Sequence, residues 1–121
     1  MKTSFITSSH VRQQTATITD ADDNDVALFE IPSHTRVLGF VVGVSDAFNT
    51  SAKLALGTVA DSDGLVAAQA IDALGSFFVN MAEPYKTTDE PVTILATVSD
   101  KSAVGSAAVT VLFAMDIDVG F

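Results

Sequence analysis

The sequence predicts an all-β fold, a single-domain β-sandwich of jelly-roll-like architecture with an extended N-terminal arm. Three observations point there. Ala, Val, Thr and Ser are abundant, and the branched side chains of Val, Ile and Thr are stiff at χ1 and pack well on a pleated surface. Short apolar or alternating runs recur between clusters of Asp, Asn, Gly, Pro and Ser, with no convincing crossover helix among them. The chain has 121 residues, one domain's worth, and size scaling removes roughly two thirds of the unfolded surface from water.

Each element follows from its residues. Met1 to His10 carries only Phe5 and Ile6 as large anchors among Thr and Ser, so residues 1–10 read as an arm whose order depends on what it touches. The sandwich domain is expected over residues 11–121. Val11 to Thr19 alternates weakly and predicts a largely polar strand. The acidic segment Asp20 to Asp25 fits a hairpin turn into a second strand at Val26 to Ile31, because Asp and Asn bond their own backbone and tolerate left-handed angles. Pro32 stops ladder pairing. Thr35 to Ser45 is apolar at both parities, which predicts a central strand buried on both sides.

Asp46 to Ser51 reads as a loop, Ala52 to Gly57 as a short strand, and Val59 to Gly64 as a turn. Leu65 to Ile71 fits strand or helix equally, since Ala favours helix and nothing in the pattern arbitrates. Ser76 to Val79 is a brief apolar run, and Glu83 to Pro91 is a loop bracketed by prolines. Val92 to Ser99 alternates as a strand. Ala107 to Val119 ends the chain with the longest alternation, Ala107, Val109, Val111, Phe113, Met115, Ile117 and Val119 on one face. Seven or eight strands result.

Composition excludes several functions. Hydrophobic residues make up 48% and charged residues 17%, the opposite of a disordered balance. Six basic residues against 15 acidic ones leave a net charge of -9, which repels phosphate and disfavours nucleic-acid binding. The absence of cysteine removes disulfides, thiolate zinc sites and thiol nucleophiles. The most membrane-like stretch, Ser102 to Met115, is too short to cross a bilayer as a helix. Met1 to His10 lacks the apolar core of a signal peptide. A soluble protein made in a cytoplasm is expected.

No motif in the chain carries catalysis. Asp20 to Asp25 has the spacing that opens an EF-hand loop, but Asp25 stands where glycine is needed and Ile31 where the bidentate Glu is needed. A looser calcium site there, or at Asp61-Ser62-Asp63-Gly64, is the alternative to ordinary turns. His10 and His34 have no partner at zinc-ligand spacing. No nucleophile elbow or phosphate loop occurs, and Gly39 and Gly43 sit within a strand pattern, where glycine marks a bulge or close packing. No catalytic residue, metal site or cofactor is expected. The candidate interface residues are Phe5, Ile6 and His10 in the arm and Phe48 and Tyr85 in loops, with Phe5 and Ile6 suited to strand addition on a neighbouring edge.

Ile31-Pro32-Ser33-His34-Thr35-Arg36-Val37-Leu38 leads into a long apolar strand that leaves through Asp46-Ala47-Phe48-Asn49. Leu54 to Leu65 follows with a short strand ending in Gly57-Thr58, and the strands Pro91 to Val98 and Ala107 to Met115 close the domain. From Ile31 onward the chain resembles the decoration, or cement, proteins of tailed bacteriophages. The resemblance implies a compact, often trimeric β-sandwich on the capsid exterior that contacts the major capsid protein, locks neighbouring capsomers and has no catalytic residues. Met1 to Glu30 has no counterpart in the resemblance. The other reading is a phage tail or fibre module that recognises a host glycan or protein, for which Phe48 and Tyr85 would be the exposed aromatics.

Overall fold

The computed structural model describes residues 11–22, 25–79, 81, 84–100 and 103–115. These form β1 (Val11–Thr19), β2 (Val26–Ile31), β3 (Thr35–Asp46), β4 (Lys53–Gly57), β5 (Val66–Ala70), β6 (Gly75–Val79), β7 (Tyr85–Lys86), β8 (Val92–Ser99) and β9 (Ser106–Met115). The expected arm, residues 1–10, lies outside the described residues, as does the end of the last predicted strand beyond Met115.

All pairings are antiparallel. A five-stranded sheet runs β1-β9-β3-β6, with β7 also on β3, and a four-stranded sheet runs β2-β8-β4-β5. The consecutive pairs β1/β2, β3/β4, β5/β6 and β8/β9 each give one strand to each sheet, so both sheets repeat one winding. This is the jelly-roll plan, as expected from the sequence.

The core lies between the sheets. On β9 the buried residues Ala107, Val109, Val111 and Phe113 stand opposite Val44, Val42, Phe40 and Val37 of β3. Phe29 and Ile31, Leu54 and Leu56, and Ile94 and Ala96 answer from the other sheet. Burying each large side chain here contributes about 1.5–3 kcal/mol before entropy is subtracted.

Three expectations are corrected. The Asp20 to Asp25 segment does not close a hairpin, because β1 pairs with β9 through nine successive residues while β2 pairs with β8 in the other sheet. The chain therefore passes from one sheet to the other between β1 and β2. The predicted double burial of β3 also fails. β3 is central, between β9 and β6, but a bulge between Val37 and Gly39 switches which parity faces the core. Thr35 and Val37 point inward before it, and Phe40, Val42 and Val44 after it. Apolar residues at both parities thus reflect the phase change in part. Finally, β7 interrupts the segment expected to be loop.

Leu65 to Ile71 resolves as strand, β5 pairing with β4. Its Val66 and the flanking Leu65 and Ile71 are buried, which decides the matter where alanine propensity could not.

A buried polar clamp joins the middle of the proline-bracketed segment, at Thr87, to Pro32 and to Thr35 at the start of β3. Thr87 Oγ1 accepts from the Thr35 N–H at 2.9 Å and donates to the Pro32 carbonyl at 2.6 Å. The Thr87 N–H donates to the Thr35 carbonyl at 2.9 Å. Thr35 and Thr87 are the buried polar residues of the described core, and their mutual bonds remove the cost of burying them.

Candidate interaction surface

The acidic turns are structural. Asp22 Oδ2 accepts from the Thr19 N–H at 2.8 Å, and the Asp22 N–H donates to the Thr19 carbonyl at 3.2 Å. Asp25 sits at φ 56°, its Oδ1 accepting from Thr97 Oγ1 at 2.8 Å. In the second turn the backbones of Thr58 and Asp61 bond each other reciprocally. A hydrogen bond with Asp61, and then the charge of that carboxylate, hold Asp63 above the usual carboxylate range. His34 stands 3.5 Å from Asp89 with both side chains exposed. Among the described residues, no three His, Asp or Glu side chains converge to hold a metal.

Phe5, Ile6 and His10 lie outside the described residues. Phe48 is not the exposed aromatic that its loop position suggested. It is 3% exposed, its N–H donates to the Ile71 carbonyl at 3.2 Å, and its ring fills the place where a side chain at Gly105 would stand. Gly105 has φ 141°, a conformation that L side chains rarely adopt. Its missing Cβ gives the ring a slot that the loop sequence alone cannot reveal.

Tyr85 stands on the short strand β7 rather than in a loop. β7 sets it opposite Val37, half-buried between two shallow clefts. One, of about 390 Å³, is walled by Val59, Pro91 and Val92; the other, of about 350 Å³, by Arg36 and Pro84. Burial raises the pKa of its phenol, so the ring presents a neutral, apolar wall with a hydrogen-bonding tip.

The outer face of the five-stranded sheet is a surface that the sequence reading missed. Leu38 on β3 is 43% exposed and Phe78 on β6 is 57% exposed, with Val41 and Leu112 half-buried between them. Register places Phe78 opposite Val41, and its ring lies over Gly39, where an added Cβ would come 2.5 Å from Cζ. Val11 extends the apolar strip to β1, opposite Ala114. Exposed apolar side chains gathered on one sheet face make it a candidate interaction surface. Its signal in the sequence is the apolarity of β3 at both parities, which by itself predicts burial on both sides.

Neither protein-family profiles nor curated protein sequences match the chain. Solved structures do. A chain of the cyanophage Pam1 capsid asymmetric unit superposes with a TM-score of 0.67 at 16% identity, covering 95% of this chain and 91% of that one. Phage capsids contain this fold. A chain of the acid-stable capsid structure of Helicobacter pylori bacteriophage KHP30 matches with a TM-score of 0.66 at 14% identity, over 88% and 89% of the two chains. The shared fold runs over nearly the full length of all three chains.

Proposed function

We infer that this chain is a capsid decoration, or cement, protein: a non-enzymatic virion component that binds the outside of an icosahedral phage head and links its capsomers. The observation that carries the reading is the near-complete two-way coverage by chains from two phage capsid structures. The apolar outer face supports it, because a subunit that docks on a shell has surface to hide. In this reading the partner is the major capsid protein, the protein is made in the cytoplasm of a host bacterium, and the copies associate as a homotrimer. Symmetric closure would cover apolar faces without leaving a fibre-forming edge.

The test is to add purified protein to capsids that lack their own copy and to follow co-sedimentation and resistance of the heads to heat. Saturable binding with a raised disruption temperature is expected. Absence of binding, together with a mass of 12.6 kDa by light scattering at all concentrations, would remove the proposal. The tail or fibre reading loses one of its two aromatics with the burial of Phe48.

A further inference from the structure

The four sheet edges are not alike. β2 carries a bulge between Ala27 and Phe29, β5 is five residues long and loses register against β4 between Leu54 and Leu56, and β6 is five residues long. Short, bulged edges resist pairing with a foreign strand. β1 has none of these protections. It is nine residues long, in unbroken register with β9, without proline, and carries Arg12 as its one charge.

The backbone bonds at the end of β1 show which of its groups face outward. The Asp20 N–H donates to the Gly105 carbonyl on the β9 side, whereas the N–H and carbonyl of Thr19 are both taken by Asp22. Backbone groups alternate sides along an antiparallel strand. Even-numbered residues of β1 therefore bond β9, while Val11, Gln13, Thr15 and Thr17 turn their N–H and carbonyl groups to the free edge. Among the described residues nothing pairs with them, and Asp22 closes the edge beyond Thr17.

We propose that this edge is a two-fold contact between two copies of the chain, in which β1 pairs antiparallel with β1 in a register centred on Gln14. That register sets Gln13 opposite the second copy's Thr15 and Val11 opposite its Thr17, so all four outward residues of each copy bond. No other centre between Val11 and Thr17 uses all of them. Arg12 faces the second copy's Ala16, and no like charges meet. Charge along the chain favours the same arrangement. Residues 1–12 contain Lys2 and Arg12 and no acid, whereas residues 20–25 contain Asp20, Asp22, Asp23 and Asp25. Antiparallel pairing points the Arg12 end of β1 in each copy toward the Asp20 and Asp22 end of the other, twice by symmetry. The contact does not depend on the capsid reading. Being two-fold, it cannot itself close a trimer; it would join one trimer to the next.

Gln14 would face its own symmetry mate in a non-hydrogen-bonded pair, with Cα atoms about 4.5 Å apart, a separation that a disulfide accepts. The chain has no cysteine, so Gln14→Cys introduces one thiol per copy. Mild oxidation of the full-length variant should give a covalent dimer. Ala16→Cys, opposite Arg12, should give little. Gln14→Glu and Gln14→Lys should each self-associate about fivefold more weakly than their equimolar mixture, measured by sedimentation equilibrium, because only the mixture opposes unlike charges. Equal cross-linking at positions 14 and 16, no cross-linking at 14, or a mixture no tighter than its components would each overturn the register.

Discussion

Replacing Thr87 by valine removes a hydroxyl from the clamp without opening a cavity, so its effect on stability isolates two hydrogen bonds. The Thr35 N–H, buried and bonded at 2.9 Å, loses its acceptor. The Pro32 carbonyl, bonded at 2.6 Å in a part-buried position, loses a donor but stands nearer water. An unsatisfied buried amide costs about 1–3 kcal/mol and the more exposed carbonyl about 0.5–1.5 kcal/mol, together a loss of about 1.5–4.5 kcal/mol. Unfolding entropy for a chain of 121 residues is about 250 cal/mol/K near 60 °C, so each kcal/mol lowers Tm by about 4 °C. Thr87→Val should therefore melt about 6–18 °C lower. Thr87→Ser, which keeps the hydroxyl and gives up one methyl, should lose about 1 kcal/mol or less. Parallel calorimetric melts of the three proteins decide the matter. A valine variant within 2 °C of the parent, or a serine variant melting as low as the valine one, would show that the clamp bonds are not what holds the loop to β3.

Three further outcomes are expected. Val42→Asp places a carboxylate at a fully buried position on β3, and circular dichroism should show no cooperative unfolding, because an unpaired buried charge exceeds the stability of a small domain. Gly105→Ala would force alanine into φ 141° against the Phe48 ring, costing about 3–5 kcal/mol; a urea midpoint equal to the parent's would contradict that geometry. Deleting residues 2–9 should leave Tm almost unchanged but weaken occupancy in a capsid titration, since Phe5 and Ile6 could each bury about 1.5–3 kcal/mol of side chain against a partner. Equal occupancy would make the arm a frayed end, and a collapsed Tm would place it in the core.

The strands were legible where alternation is local and uninterrupted. Residues 107–113 show their buried face directly, because no bulge disturbs β9 and its period stays at two. β3 misled because its bulge after Val37 changes the phase, and because the absence of a third layer over Leu38 and Val41 is a property of the whole fold. The partners of β1 and β2 were illegible for a related reason. Turn chemistry at Asp20 to Asp25 allows the chain to reverse within one sheet or to cross to the other, and the choice rests with β9, which lies more than eighty residues away. Of the candidate interface, Tyr85 lies on a two-residue strand too short to leave a pattern, and Phe48 was misplaced because its slot is made by a distant glycine. The outer face was hidden by the assumption that apolar residues on both sides of a strand must both be covered.

The place of β9 between β1 and β3 sets the order in which this molecule can be completed. Thr15 and Thr110, whose hydroxyls meet at 2.8 Å across the β1–β9 ladder, are 95 residues apart in the chain. As the chain leaves the ribosome, β1 and β3 emerge early and have no strand between them. The five-stranded sheet stays open at its centre until residues 106–115 arrive. Loop closure over such a span comes late and slows folding. Meanwhile the apolar faces of β3 and the long edge of β1 are exposed to other nascent chains. Completion of the sheet therefore waits for β9, and a truncation that removes β9 is expected to yield an aggregating chain rather than a smaller domain.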